Sequence, residues 1–160
     1  MTTPETPPQT RRSAWLGSLL LALAALPTIL QAQTQAQPKL PTVNLAAGMY
    51  NIRAELAVSP QEQMTGMMFR REMAPQEGML FVGDNDQQRC FWMRNTYLPL
   101  TAAFVAADGT IVDLADMQSR SDDSHCSSKP VRFVLEMNQG WFAKRGIKAG
   151  FKLRGAPFKD

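Results

Sequence analysis

GMYNIRAELAVSPQEQMTG, residues 48–66, carries two periods in succession. In its first half Tyr50, Ile52, Ala54, Leu56 and Val58 fall on one side, and Asn51, Arg53 and Glu55 on the other. Successive side chains of an extended chain point to opposite faces, so this alternation is that of a half-buried strand. The second half begins with Ser59-Pro60-Gln61-Glu62. A serine cap, a proline at the first helical position and a glutamate three residues after the cap make a capping box. A short helix is therefore expected to about Thr65, with Gly66 free to close it in the left-handed conformation.

Strand signals continue toward the C-terminus. Residues 78–82 (GMLFV) form a short apolar run, expected as a buried strand, and Gly83-Asp84-Asn85-Asp86 is turn chemistry. Residues 89–94 alternate, and residues 100–106 follow Pro99 as a further strand. Asp108-Gly109, before residues 110–114, is a two-residue hairpin signal. Residues 131–137 (VRFVLEM) alternate again, and Asn138-Gln139-Gly140 is a turn. Residues 141–145 suit a single helical turn closed by Gly146, and residues 147–153 a last short strand. No amphipathic helix of ten residues recurs between strands, which argues against a parallel βαβ sheet. The expected class is mainly β: an antiparallel β-sandwich or jelly-roll-like barrel with one or two short helices.

The first 36 residues read differently. A polar start, Arg11-Arg12 and then the uncharged AWLGSLLLALAALPTIL of residues 14–30 have the order of a secretory signal peptide. At about 1.5 Å per residue the apolar stretch spans roughly 26 Å, short of the roughly 30 Å hydrocarbon core. Pro27 also interrupts a helix near its end. The alternative is an uncleaved anchor helix, the only route by which this chain would meet a membrane. Cleavage is expected after Ala32 or Ala36, and no cysteine nearby offers a site for a lipid anchor. Residues 37–47 are expected as a linker and residues 48–160 as one β-rich domain. Exported, the protein would be periplasmic or secreted.

The chain has 17 Lys and Arg against 14 Asp and Glu, a net charge of +3. The signs alternate without a basic block, so nucleic acid is not an expected partner. Cys90 and Cys126 are the 2 cysteines. In an oxidising compartment such a pair tends to be a disulfide, contributing roughly 4 kcal/mol in the chain-entropy picture for a loop of this length. A reactive thiol would instead need a deprotonating neighbour and a reducing partner.

One stretch, Phe91-Trp92-Met93-Arg94-Asn95-Thr96 followed by Pro99-Leu100, resembles the signature of the domain-of-unknown-function 192 family. Other pieces resemble that family in the same order. They are Gly66-Met67-Met68-Phe69-Arg70, Gly78-Met79-Leu80-Phe81, the Asp108-Gly109 hairpin, and Val134-Leu135-Glu136-Met137-Asn138. The similarity runs from about Tyr50 to Arg154. Position 101 departs from it, with Thr101 where the family usually has aspartate. The resemblance implies a compact sandwich or jelly-roll fold and no particular reaction.

Candidate chemistry centres on residues 90–96. Trp92, Arg94, Asn95 and Thr96 could line a pocket, since an indole face with an amide and a guanidinium can hold a sugar, an aromatic or a carboxylate. The plainer account puts Phe91 and Met93 in the core and gives Asn95-Thr96 to a turn. Met64, Met67 and Met68 could offer thioethers to Cu(I), although methionines at this spacing also form the buried side of a short helix. Residues 121–128 (SDDSHCSS), with the one histidine, His125, hold the letters of a hydrolase triad, but triads assemble in space, not along the sequence. Cys90, Cys126 and His125 are too few for a structural zinc, so no metal or other cofactor is expected beyond the copper alternative. Glu55 and Glu136 fall on outward strand positions and read as solvent-facing, which leaves no clear carboxylate pair among Glu55, Asp113 and Glu136.

The expectation is thus an exported binding domain for a small ligand, peptide or envelope component, with no assigned catalysis. The alternatives are an envelope hydrolase using a carboxylate or the Ser-His-Cys loop, and a structural or accessory partner of another envelope protein.

Overall fold

The computed structural model describes residues 35–158. The signal-peptide reading and cleavage at Ala32 lie outside the described residues.

Residues 48–66 fold as their pattern requires. Strand β1 (Thr42–Ala47) and β2 (Tyr50–Ala57) pair antiparallel, and helix α1 (Pro60–Thr65) follows. The capping box is complete: the Glu62 amide donates to the Ser59 hydroxyl at 3.3 Å, and the Ser59 amide donates to the Glu62 carboxylate at 2.8 Å. The Ser59 amide, joined by the Val58 amide at 2.9 Å, holds the Glu62 carboxyl below its ordinary range. Gly66 ends the helix at φ 47°, ψ −129°, a positive-φ conformation outside the left-handed helical region that was expected. The linker reading of residues 37–47 needs correction, because β1 occupies its second half with Leu45 and Ala47 buried.

The remaining strands are β3 (Glu77–Gln87), β4 (Cys90–Phe91), β5 (Leu100–Val105), β6 (Ile111–Met117), β7 (His125–Cys126) and β8 (Val131–Asn138). Six of them form one sheet in the order β1-β2-β3-β8-β5-β6, and β4 with β7 forms a two-stranded ribbon. The mainly β class is as expected. The finer geometry is a mixed sheet, not a closed barrel, because β2 and β3 run parallel. Their crossover passes through α1 and an irregular stretch instead of a long helix, which is why helical periodicity gave no sign of it.

Three local expectations also change. Residues 83–86, read as a turn, continue β3 as an exposed extension with a register irregularity after Val82. Residues 89–94 make only the short β4 and then a turn. The last stretch forms isolated bridges, Thr110 with Lys152 and Ala46 with Arg154, in place of a strand. The Asp108-Gly109 hairpin is present, but its Ala106 and Thr110 already pair, so the loop holds three residues and places Gly109 at φ 87°. The turn after Trp141 is a short 3₁₀ helix, Ala143–Arg145, closed by Gly146 in the left-handed conformation.

Both faces of the sheet are covered. On one, Leu80, Ala103, Phe133 and Leu135 pack with Trp141, Phe142, Ile147 and Leu153. On the other, Ala57, Met79, Phe81, Ala102, Phe104 and Val134 pack with Met67 and Met93. Each large buried side chain contributes about 1.5–3 kcal/mol by leaving water. Phe91 closes the second layer edge-on to Phe81, with ring centroids 4.8 Å apart. This second face carries the candidate site.

Candidate functional site

Glu55, Met79, Glu136 and Ala102 form one row across the second face, neighbour to neighbour through β2, β3, β8 and β5. Both glutamates are buried, at 6% and 4% exposure, which overturns their reading as solvent-facing residues. A strand with apolar residues on both sides of its pleat sits in the middle of a covered sheet. In β8 Val131, Phe133, Val134, Leu135 and Met137 are all buried, so Glu136 is buried with them. That two-sided apolar pattern was the signal in the sequence.

The two acids are treated in opposite ways. Glu55 receives the Arg70 guanidinium in a two-pronged contact, 2.7 Å at each oxygen. The Leu40 amide donates to it at 2.9 Å, and Lys39 lies 3.1 Å away. Burial alone would raise its pKa, but Arg70, Leu40 and Lys39 together bring it below the ordinary value. Glu136 makes no hydrogen bond or ion pair among the described residues, and burial pushes its pKa up to about 8. Its carboxyl is therefore neutral at pH 7 and carries a proton it can donate.

Glu136 opens into a cleft of about 330 Å³. Phe81 shares the floor. One wall is the end of α1 and the chain after it, residues 63–68; the other is residues 87–92 with Thr96. The walls are held by bonds from outside the cleft. Gln63 Nε2 donates to the Val58 and Val82 carbonyls at 2.8 and 2.9 Å, tying α1 to β3. Gln88 Nε2 donates to the Ser127 carbonyl at 3.0 Å. Cys90 and Cys126 face each other in the β4–β7 ribbon and are joined by a disulfide.

The four ligand-site candidates separate. Trp92 and Thr96 line the cleft; Arg94 and Asn95 do not. Trp92 is 45% exposed, and the Arg94 guanidinium carbon lies 4.1 Å from its ring centroid while Arg94 Nε pairs with Asp122 at 2.7 Å. Asn95 shapes the backbone. It has φ 60°, and the other non-glycine residues with positive φ among those described, Phe69 and Arg120, bond to the same turn. The Phe69 amide donates to the Asn95 carbonyl at 2.8 Å and the Arg120 amide to the Thr96 carbonyl at 3.0 Å. Such conformations cost energy and persist where the surroundings enforce them. Here they fix the turn that presents Thr96.

Other named residues fall into place around this. Met64, Met67 and Met68 all border the cleft, Met67 buried and Met64 71% exposed. Arg70 holds Glu55, and Leu100 and Met93 lie in the core layer. A side chain at Gly78 would meet the Glu136 carbonyl at 2.6 Å, so only glycine allows β3 to approach β8 there. Thr101 is buried on the opposite face. It accepts from the Gly140 amide at 3.1 Å and donates to Asp116, its cross-strand partner, which supplies a carboxylate to this spot from the neighbouring strand. His125 makes no side-chain hydrogen bond among the described residues, and no cluster of three or more His, Cys, Asp or Glu suited to a metal occurs among them. Sequence reasoning missed Gln63, Gln88 and Arg89, which carry no pattern of their own.

Fold and site together define a β domain covered on both faces, with a cleft that reaches a buried acid unpaired among the described residues. The chain belongs to the domain-of-unknown-function 192 family, described as Uncharacterized ACR, whose profile matches residues 42–155. Among solved structures it is similar to a Sinorhizobium meliloti 1021 protein provisionally described as a transcription regulator. The two share 36% identity and a TM-score of 0.71 over 75% of this chain and 98% of that one. It is also similar to a protein of unknown function from Novosphingobium aromaticivorans DSM 12444, at 35% identity and TM-score 0.66 over 71% of this chain and 84% of that one. No curated protein matches.

Proposed function

We propose that this is an exported binding domain whose cleft between α1 and residues 87–96 takes a small ligand or a peptide side chain. One observation carries the reading: the cleft reaches Glu136, a buried polar group with no partner among the described residues. Buried polar groups are ordinarily hydrogen-bonded, and leaving one unmet costs about 1–3 kcal/mol, so a site that keeps one open suits a ligand that completes it. Export draws support from the basic-then-apolar N-terminal sequence and from the disulfide. Among the described residues no helix is long and apolar enough to cross a membrane. The regulator description of the Sinorhizobium relative is not carried over, because the charges here form no basic face in the sequence.

The test is an intact mass of protein purified from the periplasm, native and then denatured, with thiol alkylation. A retained mass that leaves on denaturation, and that Trp92→Ala fails to retain while still folding, fits the binding reading. A folded protein that never retains or binds a small molecule refutes it.

A second reading has a specific observation behind it. An acid neutral at pH 7 and open to a cleft can act as a general acid, which suits an envelope hydrolase. Glu136→Gln separates the two: it would abolish turnover in an enzyme and alter only affinity in a binding domain.

A further inference from the structure

Four of the donors around the cleft, from Gln63, Gln88, Arg89 and Thr65, are already committed. The amide nitrogens of Gln63 and Gln88 bond backbone carbonyls, as above. Arg89, also in the lining, gives Nε to the Val131 carbonyl at 3.2 Å and Nη2 to the Asn85 carbonyl at 2.9 Å. The Thr65 hydroxyl donates to the Gln61 carbonyl at 2.9 Å. What the two glutamines retain is their side-chain carbonyl oxygens, which accept nothing among the described residues. Phe81, Phe91, Trp92, Met67 and Met68 give the walls soft, apolar surface between the polar Gln87 and Thr96. The cleft thus offers two glutamine carbonyls and aromatic π-faces, beside the Gln87 amide, the Thr96 hydroxyl and the Trp92 indole N–H, and reaches a carboxyl group.

Resting on the reading of the cleft as a ligand site, we propose that its ligand bears a primary ammonium group, which seats against Glu136 with its hydrocarbon stem along the aromatic and thioether walls. An ammonium has three donors and no acceptor, which suits the Glu136 carboxyl and the two glutamine carbonyls. Aromatic faces attract it. A cation taken this far from water needs a charged partner, and Glu136 is the one available acid on the floor. The charge balances by proton release: the neutral carboxyl loses its proton to solvent as the ammonium arrives, leaving an ion pair. Few other charged groups face Glu136. Met79 and Ala102 flank it on the ladder. Glu55 and Arg70 neutralise each other beyond Met79. Glu62 caps α1, Arg89 is held by carbonyls, and His125 stands opposite Phe91 in the ribbon.

Calorimetric titration of the whole protein tests this, with n-pentylamine, Nα-acetyl-lysine amide and n-pentanol as probes between pH 6 and 8.5. The amines should bind and the alcohol should not. Amine affinity should rise about tenfold per pH unit up to about 8 and then level, since one proton is released per ligand below that point. Paired buffers of different ionisation enthalpy should register that proton, and Glu136→Gln should weaken amine binding at least tenfold and remove its pH dependence. Preference for n-pentylamine would indicate a free amine as the ligand; preference for the lysine derivative would indicate a protein-borne lysine. Equal binding of pentanol, an affinity that does not rise with pH, or no amine binding would overturn the inference. If a neutral molecule is retained by the purified protein and lost with Trp92→Ala, only the ammonium assignment falls. If nothing is bound at all, the ligand-site reading falls with it.

Discussion

Glu55 and Glu136 occupy the same row of the sheet with only Met79 between them, yet one is ionised and the other neutral at pH 7. The difference is Arg70: its guanidinium reaches Glu55, and no cation pairs with Glu136 among the described residues.

Their signs in stability are opposite. Glu136 has a folded pKa of about 8, above the ordinary 4.5. Its contribution is complete below 4.5 and is lost as pH rises to about 8, at about 1.4 kcal/mol per unit. Glu136→Gln should flatten that slope and make the protein more resistant to urea than wild type at pH 8.5. An unchanged slope would mean the acid is ionised in the folded state.

Glu55 behaves conversely, stabilising above its unfolded pKa and losing that effect as acid protonates it. At pH 7, Arg70→Met should cost about 3–5 kcal/mol because it strands a buried carboxylate. Adding Glu55→Gln should recover part of this. Urea midpoints of the two variants decide it; equal losses would show that packing, not charge, is the source.

The disulfide pins the ribbon that forms one cleft wall. Replacing Cys90 and Cys126 with serine should cost about 2–4 kcal/mol. Hydrogen exchange should quicken mainly in residues 88–92 and 121–127. A uniform increase across the sheet would place the ribbon in the core's cooperative unit.

Asn95 distinguishes a turn residue from a ligand residue. Asn95→Gly should be close to neutral, because glycine accepts φ 60° without a steric penalty, whereas Asn95→Val should cost about 1–2 kcal/mol. Ligand-dependent shifts in melting temperature should survive the glycine variant; their loss would return Asn95 to the site.

What the sequence disclosed was mostly local. The Ser59 capping box, the Asp108-Gly109 hairpin and the Gly146 stop each lie within a few residues, and each formed. The cysteine pair was legible because two thiols in an oxidising compartment tend to join. The parallel β2–β3 pair was not, because its crossover rests on a helix of 6 residues. Gly83 to Asp86 has turn composition but continues a strand exposed beyond the sheet's covered centre. Alternation alone implies one wet face and so puts Glu136 in solvent, but Val134 and Leu135 beside it already fill both faces. Half of the proposed ligand set, Trp92 and Thr96, borders the cleft, while Arg94 turned to Asp122 and Asn95 to the backbone.

Strand β8 lies between β3 and β5, although it is the last strand in the chain. Before it, the strands of the main sheet pair only as two separate pieces, β1-β2-β3 and β5-β6, each with an open edge toward the other. A chain synthesised or translocated from its N-terminus therefore waits, with those edges unpaired, for residues 131–138 to emerge. Their arrival zips both ladders at once and carries Glu136 out of water in the same event. A truncation just before Val131 would leave two sticky fragments in place of a smaller domain, and a holding chaperone would find its targets on β3 and β5.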